Sequence, residues 1–388
     1  MRDIIIVGAR CAGASLASFL GKLGYKVLLL DKYKSPRDPV LSTHILGGEE
    51  IYEYLDIKEE IDGCGSPVIK RMKVDFEGHV FESDIIVTSR VIGVRRDVLD
   101  TLLLQNAAAY KNIEIKTSSS VVDLITKDNK VIGVKYKDSQ GNLYEEYAGI
   151  VVGADGKNSL IANKVSAKTL LESDDLHSIY YTYVKGLEPT HLPTFEWFWH
   201  KQGVILINPI DSSLHCIALI VPNHTDPKLV KESFINILSE IKTLKPRLKA
   251  IELTKPIRGL KKVRNFIKNT YGNGWVLLGD AANHLHPISG VGIDNAVGLA
   301  HILSIELDHY FKKKKSWTDA MEDYQLYRDK QVIPQYKNSL STLGFTEHEL
   351  DDHASLYSSM LCTFPSLIKE LCLNSENVIN KLRGEEKL

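Results

Sequence analysis

Glycine and acid residues stand together at the ends of three apolar runs in this 388-residue sequence. In the first, Gly8 follows Ile4-Ile5-Ile6-Val7, Gly13 comes soon after, and Asp31 closes the next apolar run, Val27 to Leu30. A glycine at the end of a strand permits a tight turn and close backbone approach to a pyrophosphate. The N-terminus of the helix that follows offers unpaired N–H groups and partial positive charge to phosphate oxygens. Gly13 would let that helix pack on its strand, and Asp31 would accept a hydrogen bond from a ribose hydroxyl. This is the chemistry of holding a dinucleotide. Arg10 stands where the G-x-G-x-x-G fingerprint has its middle glycine, so this segment alone also fits a turn that binds nothing. The other two sites are Gly153-Ala154-Asp155-Gly156 and Gly279-Asp280.

The elements that must position these residues are legible from pattern. Ile4 to Val7 reads as a strand buried on both faces, Ala12 to about Leu23 as a helix closed by Gly24, and Val27 to Leu30 as a second strand. Gly149 to Gly153 and Trp275 to Leu278 are two further apolar strands. Pro287, Gly290 and Gly292 precede a helical pattern from about Ile293 to Phe311. Each acid therefore falls at the carboxyl end of a predicted strand, where open α/β sheets bind ligands.

Between these segments the chain changes character. Residues 66–90 hold short strand-like runs (Val68-Ile69, Val80-Phe81, Ile85-Ile86-Val87), and residues 178–221 alternate and are rich in β formers. Together they predict a mostly antiparallel inserted sheet. Residues 230–250 read as a helix, and the chain from Ser316 onward as helices with short loops, broken near Pro365. Lys312 to Lys315 read as a solvated helix end rather than a binding patch. With 48 basic and 49 acidic residues there is no global field for nucleic acid. Cys11, Cys64, Cys216, Cys362 and Cys372 show no C-x-x-C spacing, which points to a reducing, cytoplasmic setting; Cys11 and Cys216 read as small core fillers. Neither a leader nor an apolar run long enough to span a membrane is visible.

Taken together, the three segments resemble the FAD-dependent monooxygenase superfamily, the fold of para-hydroxybenzoate hydroxylase, which includes geranylgeranyl reductases and flavin halogenases. The resemblance spans about residues 3–330. Val7 to Gly13 corresponds to the family's glycine fingerprint. Gly153-Ala154-Asp155-Gly156 with Ser159 corresponds to its DG motif, and Gly279-Asp280-Ala281-Ala282 with Pro287, Gly290 and Gly292 to its GD motif. Arg95-Arg96-Asp97-Val98-Leu99-Asp100 followed by Leu103 resembles its arginine-bearing helix start. Leu41-Ser42-Thr43-His44 and the Gly8 to Gly13 segment resemble a subgroup of bacterial oxidoreductases whose substrates are mostly unassigned.

The resemblance implies FAD as cofactor and gives the residues roles. Gly8, Gly13 and Asp31 would hold the ADP half, with Gly279 and Asp280 at the ribityl chain or pyrophosphate. Of the adjacent Arg95 and Arg96 only one can face the cofactor, and motif spacing selects Arg96. Arg10 is left open between a phosphate, a carboxylate and solvent. Gly290, Gly292 and Ile293 would set a helix N-terminus against the flavin pyrimidine ring, where N–H groups stabilise negative charge on reduced flavin. Asp155 would serve flavin and nicotinamide handling, or else cap a turn. His44, Asp155 and Pro287 are the candidates nearest the reaction. His44, His284 and His286 could each donate a proton, bind a carboxylate or pack against the ring. No metal-ligand spacing such as H-x-x-x-H occurs, so no metal is expected. Phe195, Trp197 and Trp199 share one strand face, for core packing or substrate contact, and Asn208-Pro209 resembles the family's strand whose proline lies above the flavin.

The implied fold is α/β: a Rossmann-like FAD-binding domain (residues 1–65, 91–165 and 256–312), an inserted mostly antiparallel β-sheet substrate domain (66–90 and 166–255) and a C-terminal helical region (313–388). The implied reaction is that of a monooxygenase. NADH or NADPH, bound transiently, would reduce FAD, and a flavin C4a-hydroperoxide would pass one oxygen of dioxygen to a small organic substrate, aromatic ones included. Such a site must exclude water. One alternative is a reductase of carbon–carbon double bonds, although Asn208 stands before Pro209 where the prenyl-lipid reductases have Phe-Pro. A halogenase is disfavoured because Trp197-Phe198-Trp199 runs into His200-Lys201-Gln202 instead of completing W-x-W-x-I-P. A flavin-binding protein without turnover is the remaining alternative. The expected partners are the small-molecule substrate and dioxygen, with no nucleic acid; oligomeric state is not encoded legibly.

Overall fold

A computed structural model describes residues 2–34, 42–76, 78–85, 90–173 and 177–344. Along the chain the principal elements are β1 (Arg2–Val7), α1 (Cys11–Lys22), β2 (Val27–Leu30), β3 (Arg71–Phe76), α2 (Arg96–Ala108), β4 (Ile113–Lys116), β5 (Leu143–Gly153) and α3 (Leu160–Lys164). They continue with β6 (Ser178–Lys185), β7 (Thr194–His200), β8 (Gly203–Pro209), β9 (His215–Val221), α4 (Pro227–Glu240), β10 (Trp275–Leu277), α5 (Gly292–Phe311) and α6 (Trp317–Gly344). The chain is a mixed α/β protein.

The first sheet runs β10–β5–β1–β2–β4, with all of these strands parallel. Its apolar strands are sandwiched, which is why Ile4 to Val7 and Val27 to Leu30 carry no polar residue. Helix α1 is buried from Cys11 to Gly21 and packs against α2 and α5. The last residues of four strands align: Val7 lies opposite Leu30 and Gly153, and Gly153 opposite Leu277.

The second sheet orders β6–β9–β8–β7–β3 and extends to His79–Asp84. It is antiparallel except where β7 runs parallel to β3. One face packs Phe198, Ile205 and Leu219 on Phe234 and Leu238 of α4. The other face carries Tyr181, Tyr183, Trp197 and Trp199 and packs on Ile288, in the segment before α5. The sheet continues past residue 256, because Arg258–Leu260 pairs with β6.

Several local expectations shift. Helix α4 starts at Pro227, capped by Asp226, which accepts from the Lys228 N–H, and it ends at Glu240. It cannot run to residue 250, since Pro246 lacks the N–H a continuous helix needs, and Lys245–Leu248 forms a separate 3-10 turn. Helix α5 opens at Gly292, one residue before the expected start. Ile85 follows the strand His79–Asp84, while Ile86 and Val87 lie outside the described residues. So do residues 345–388, including the expected break at Pro365. Within 313–344 the chain forms the single helix α6, with Pro334 inside it. No helix among the described residues is long and apolar enough to cross a membrane.

Candidate functional site

The aligned strand ends of the first sheet bring Gly8, Asp31, Asp155 and the Gly279–Asp280 pair to one edge. Gly8 has φ +104°, and a Cβ there would sit 2.3 Å from the Ala154 carbonyl oxygen. A Cβ on Gly13 would lie 1.8 Å from the Gly8 carbonyl oxygen, so the turn accepts only glycine at both positions. The Ala9 and Tyr33 N–H groups donate to the two oxygens of Asp31, each at 2.8 Å, which fixes the carboxylate beside the turn. Each oxygen keeps a further lone pair.

The two later acids differ. Ser159 Oγ and the Leu160 N–H donate to Asp155 at 2.5 and 2.6 Å, and Ser159 Oγ accepts from the Ala162 N–H at 2.9 Å. Asp155 thus caps α3, the alternative that the sequence had left open. Burial pushes its carboxyl above the usual range against these hydrogen bonds. Asp280, in the short turn Gly279–Ala281, is exposed, and its charge reaches both Arg96 and the half-buried Lys157.

Asp100 organises the cationic side of the site. Arg96 Nη2 donates to its Oδ1 at 2.6 Å and Arg10 Nε to its Oδ2 at 3.0 Å, while Cys11 Sγ lies 3.3 Å from Oδ1. Two guanidinium groups therefore share one carboxylate. Arg10 Nη2 and Arg96 Nε are buried with no partner among the described residues. Burial and repulsion from Arg96 lower the Arg10 pKa. For Arg96 the burial cost is outweighed by Cys11, Asp100 and Asp280, and its pKa rises. Burial pushes the Cys11 thiol up to about 12, in keeping with a core filler. Arg95 points elsewhere: its Nε donates at 2.9 Å to Asp211, in the turn after β8.

His44 is fully buried with φ +63°, a left-handed conformation uncommon outside glycine. Its Nε2 lies 2.7 Å from Tyr183 Oη on β6, and its Nδ1 has no partner among the described residues. Burial, with Arg96 and Arg95 nearby, lowers its pKa to about 3, so the imidazole is neutral at pH 7. It can accept or donate one hydrogen bond there, but it does not carry a charge to give away. The loop after it is tied to α5, since Asp294 accepts from the Gly47 N–H at 2.8 Å and from Tyr52 Oη at 2.9 Å.

At the start of α5, Gly290 has φ +66°, and a Cβ on Gly290 or Gly292 would meet nothing within 4 Å. The backbone at the helix start therefore has room for a side chain against the described residues, while Ile293, in the first turn, is buried. Pro287 begins the short turn before it. His286 Nδ1 accepts the Ile288 N–H at 3.2 Å, which places the ring proton on Nε2. Burial, and then His177 and His284, push the His286 pKa far below its ordinary value. His284 Nδ1 is engaged by the Arg264 carbonyl. Trp197 stacks on Trp199 at 5.4 Å and meets Phe195 edge-on at 5.5 Å, as one aromatic wall of the second sheet. Gly93 abuts the Asn208-Pro209 strand end, where a Cβ would come 2.6 Å from the Pro209 oxygen.

Residues 1–331 match a protein family described as an FAD binding domain. The chain belongs to that family. Digeranylgeranylglycerophospholipid reductase 2 of Methanococcoides burtonii is 24% identical over an alignment covering 98% of this chain and 95% of that protein. Among solved structures, p-nitrophenol 4-monooxygenase from Pseudomonas putida superposes with a TM-score of 0.81 at 14% identity, covering 97% of this chain and 98% of that one. The myxobacterial chondrochloren halogenase superposes at 0.80 with 18% identity, covering 91% and 84%. As a member of that family the chain is an FAD-dependent oxidoreductase of the monooxygenase superfamily, and it is an enzyme.

The FAD-binding family needs a site for an anionic dinucleotide, and the residues present fit one. The unpaired guanidinium donors of Arg10 and Arg96 suit phosphate or flavin oxygens. The glycine turn permits close backbone approach, and a Cβ at Gly290 or Gly292 would meet no described residue at the start of α5. Asp100, Tyr183 and Asp294 were not singled out from sequence. The i,i+4 spacing of Arg96 and Asp100 was the one local signal available for the first.

Proposed function

We propose that this protein is an NAD(P)H-dependent FAD monooxygenase that hydroxylates a small, largely apolar organic substrate. The observation that carries the reading is the pairing of two surfaces. The strand-end site with its unpaired arginine donors lies beside a buried, aromatic sheet face, and the two are joined by His44 and Tyr183. Gly8, Gly13 and Asp31 would hold the ADP half, with Arg96, Gly279 and Asp280 at the pyrophosphate and ribityl chain. Gly290, Gly292 and Ile293 would present N–H groups to the flavin pyrimidine ring. Bound FAD would supply the redox chemistry, taking electrons from NADH or NADPH and giving them to dioxygen. The protein's part is to orient the substrate and exclude water, and the apolar face of the second sheet suits both tasks. His44 serves as a neutral hydrogen-bonding group and Asp155 as the cap that shapes its turn, with Pro287 setting the approach to α5.

Reconstitution with FAD followed by NAD(P)H and isotopically labelled dioxygen tests this reading. Label appearing in product supports it. A protein that retains no FAD sinks it. The second reading, reduction of carbon–carbon double bonds, is favoured by the near full-length alignment to a lipid reductase. A saturated product free of label would select it.

A further inference from the structure

Arg10 stands where a dinucleotide fingerprint has its middle glycine, the one whose missing side chain lets the backbone approach a pyrophosphate. Its φ of −95° is open to any residue, so the turn holds arginine there without strain. The side chain is nevertheless costly to the fold by itself. Arg10 is the N-cap of α1, at the positive end of that helix's dipole. It supplies no capping acceptor, and no acid stands in the first turn of α1. The guanidinium also feels the charge of Arg96, and its Nη2 is buried without a partner among the described residues.

Arg96 is in a similar state. It opens α2, so it too sits at a positive helix end, and its Nε is buried and unpaired among the described residues. Asp97, the acid in that first turn, faces Arg95 at 3.6 Å. Asp100 is the carboxylate that holds both arginines, while Asp280 adds only a longer-range attraction to Arg96. Two cations and two helix N-termini thus meet one shared carboxylate. Asp100 engages Arg10 through Nε and Arg96 through Nη2, which fixes the plane of each guanidinium and leaves a buried donor on each. Such a surplus of positive charge calls for an anion that stays in place. The oxidised flavin ring is uncharged, whereas the diphosphate of FAD is anionic in every redox state.

We propose that Arg10 is a cofactor-anchoring residue, whose side chain makes to the FAD diphosphate the contact that the fingerprint's middle glycine would make through its backbone. Asp100 is the positioning residue that aims it. This inference rests on the reading of the β1–α1 turn as the seat of the ADP half.

The test measures FAD affinity by equilibrium dialysis, beside the melting temperature of the FAD-free protein, in two variants. Arg10→Gly completes the fingerprint, and Arg10→Met keeps the apolar stem without the charge. Both should bind FAD about 10- to 100-fold more weakly. Their affinity should also depend less on salt, while the FAD-free melting temperature stays level or rises. Wild-type affinity in either variant overturns the proposal. A melting temperature lowered in both marks Arg10 as purely structural and also overturns it. Asp100→Asn removes a negative charge from beside the bound anion, which by charge alone would tighten FAD. The positioning role predicts weaker binding instead, and tighter binding overturns it. Asp31→Ala reports separately on the underlying reading. Unchanged FAD affinity there defeats the placement of the ADP half, whereas loss in Asp31→Ala with none in the Arg10 variants defeats only the role of Arg10.

Discussion

Tyr183 Oη and His44 Nε2 lie 2.7 Å apart, joining the second sheet to the loop that Asp294 ties to the start of α5. The contact is buried and involves the one histidine of the site held at a positive φ. It is a direct side-chain link between that loop and the aromatic face.

Removing either partner should leave the other unsatisfied. Tyr183→Phe is expected to lower stability by about 1–3 kcal/mol in denaturant titration. In a double-mutant cycle with His44→Phe, the combined loss should fall short of the sum of the single losses. Strict additivity would show that the two groups do not interact.

The pH dependence of stability follows from the sign of the His44 shift. Its folded pKa, about 3, lies below the ordinary value of 6.5. Between those values the unfolded chain binds a proton that the fold refuses. The contribution is full above pH 6.5 and falls as pH drops toward 3, by at most about 2 kcal/mol at pH 5. His44→Gln, which cannot titrate, should show a shallower decline of melting temperature between pH 6.5 and 4.5. Parallel curves for the two proteins would remove His44 from the acid response.

Asp280 is exposed and carries a role proposed only toward the cofactor. Asp280→Ala should therefore leave apo-protein stability within about 0.5 kcal/mol while weakening FAD retention several-fold. Equilibrium dialysis against FAD, beside a denaturant curve of the apo-protein, separates the two effects. Unchanged affinity would reassign the residue.

Two glycine substitutions should fail for different reasons. Gly13→Ala drives a Cβ to 1.8 Å from the Gly8 oxygen, so the β1–α1 turn must distort and soluble folded protein should drop sharply. Gly292→Ala meets nothing within 4 Å and should fold normally. Its methyl group would enter the space assigned to the cofactor, so FAD affinity should fall. A Gly292→Ala protein with wild-type FAD affinity would place the cofactor away from α5.

Much of the first sheet was determined by sequence alone. Apolar runs without polar interruption, ended by glycine, report strands covered on both faces, and that burial is a local property of composition. The same reasoning found the helix after Gly290 to within one residue. Sequence left Asp155 open between cofactor handling and capping a turn, and placed Asp280 at the cofactor, although both acids stand just past a strand end. The tertiary structure separates them: a serine and the first turn of α3 engage the one, while the other stays exposed. Nor could sequence pair Arg10 with Asp100 or His44 with Tyr183. Those contacts depend on which strands neighbour one another and in what register. That order is set by long-range packing, which leaves no period in the chain to read.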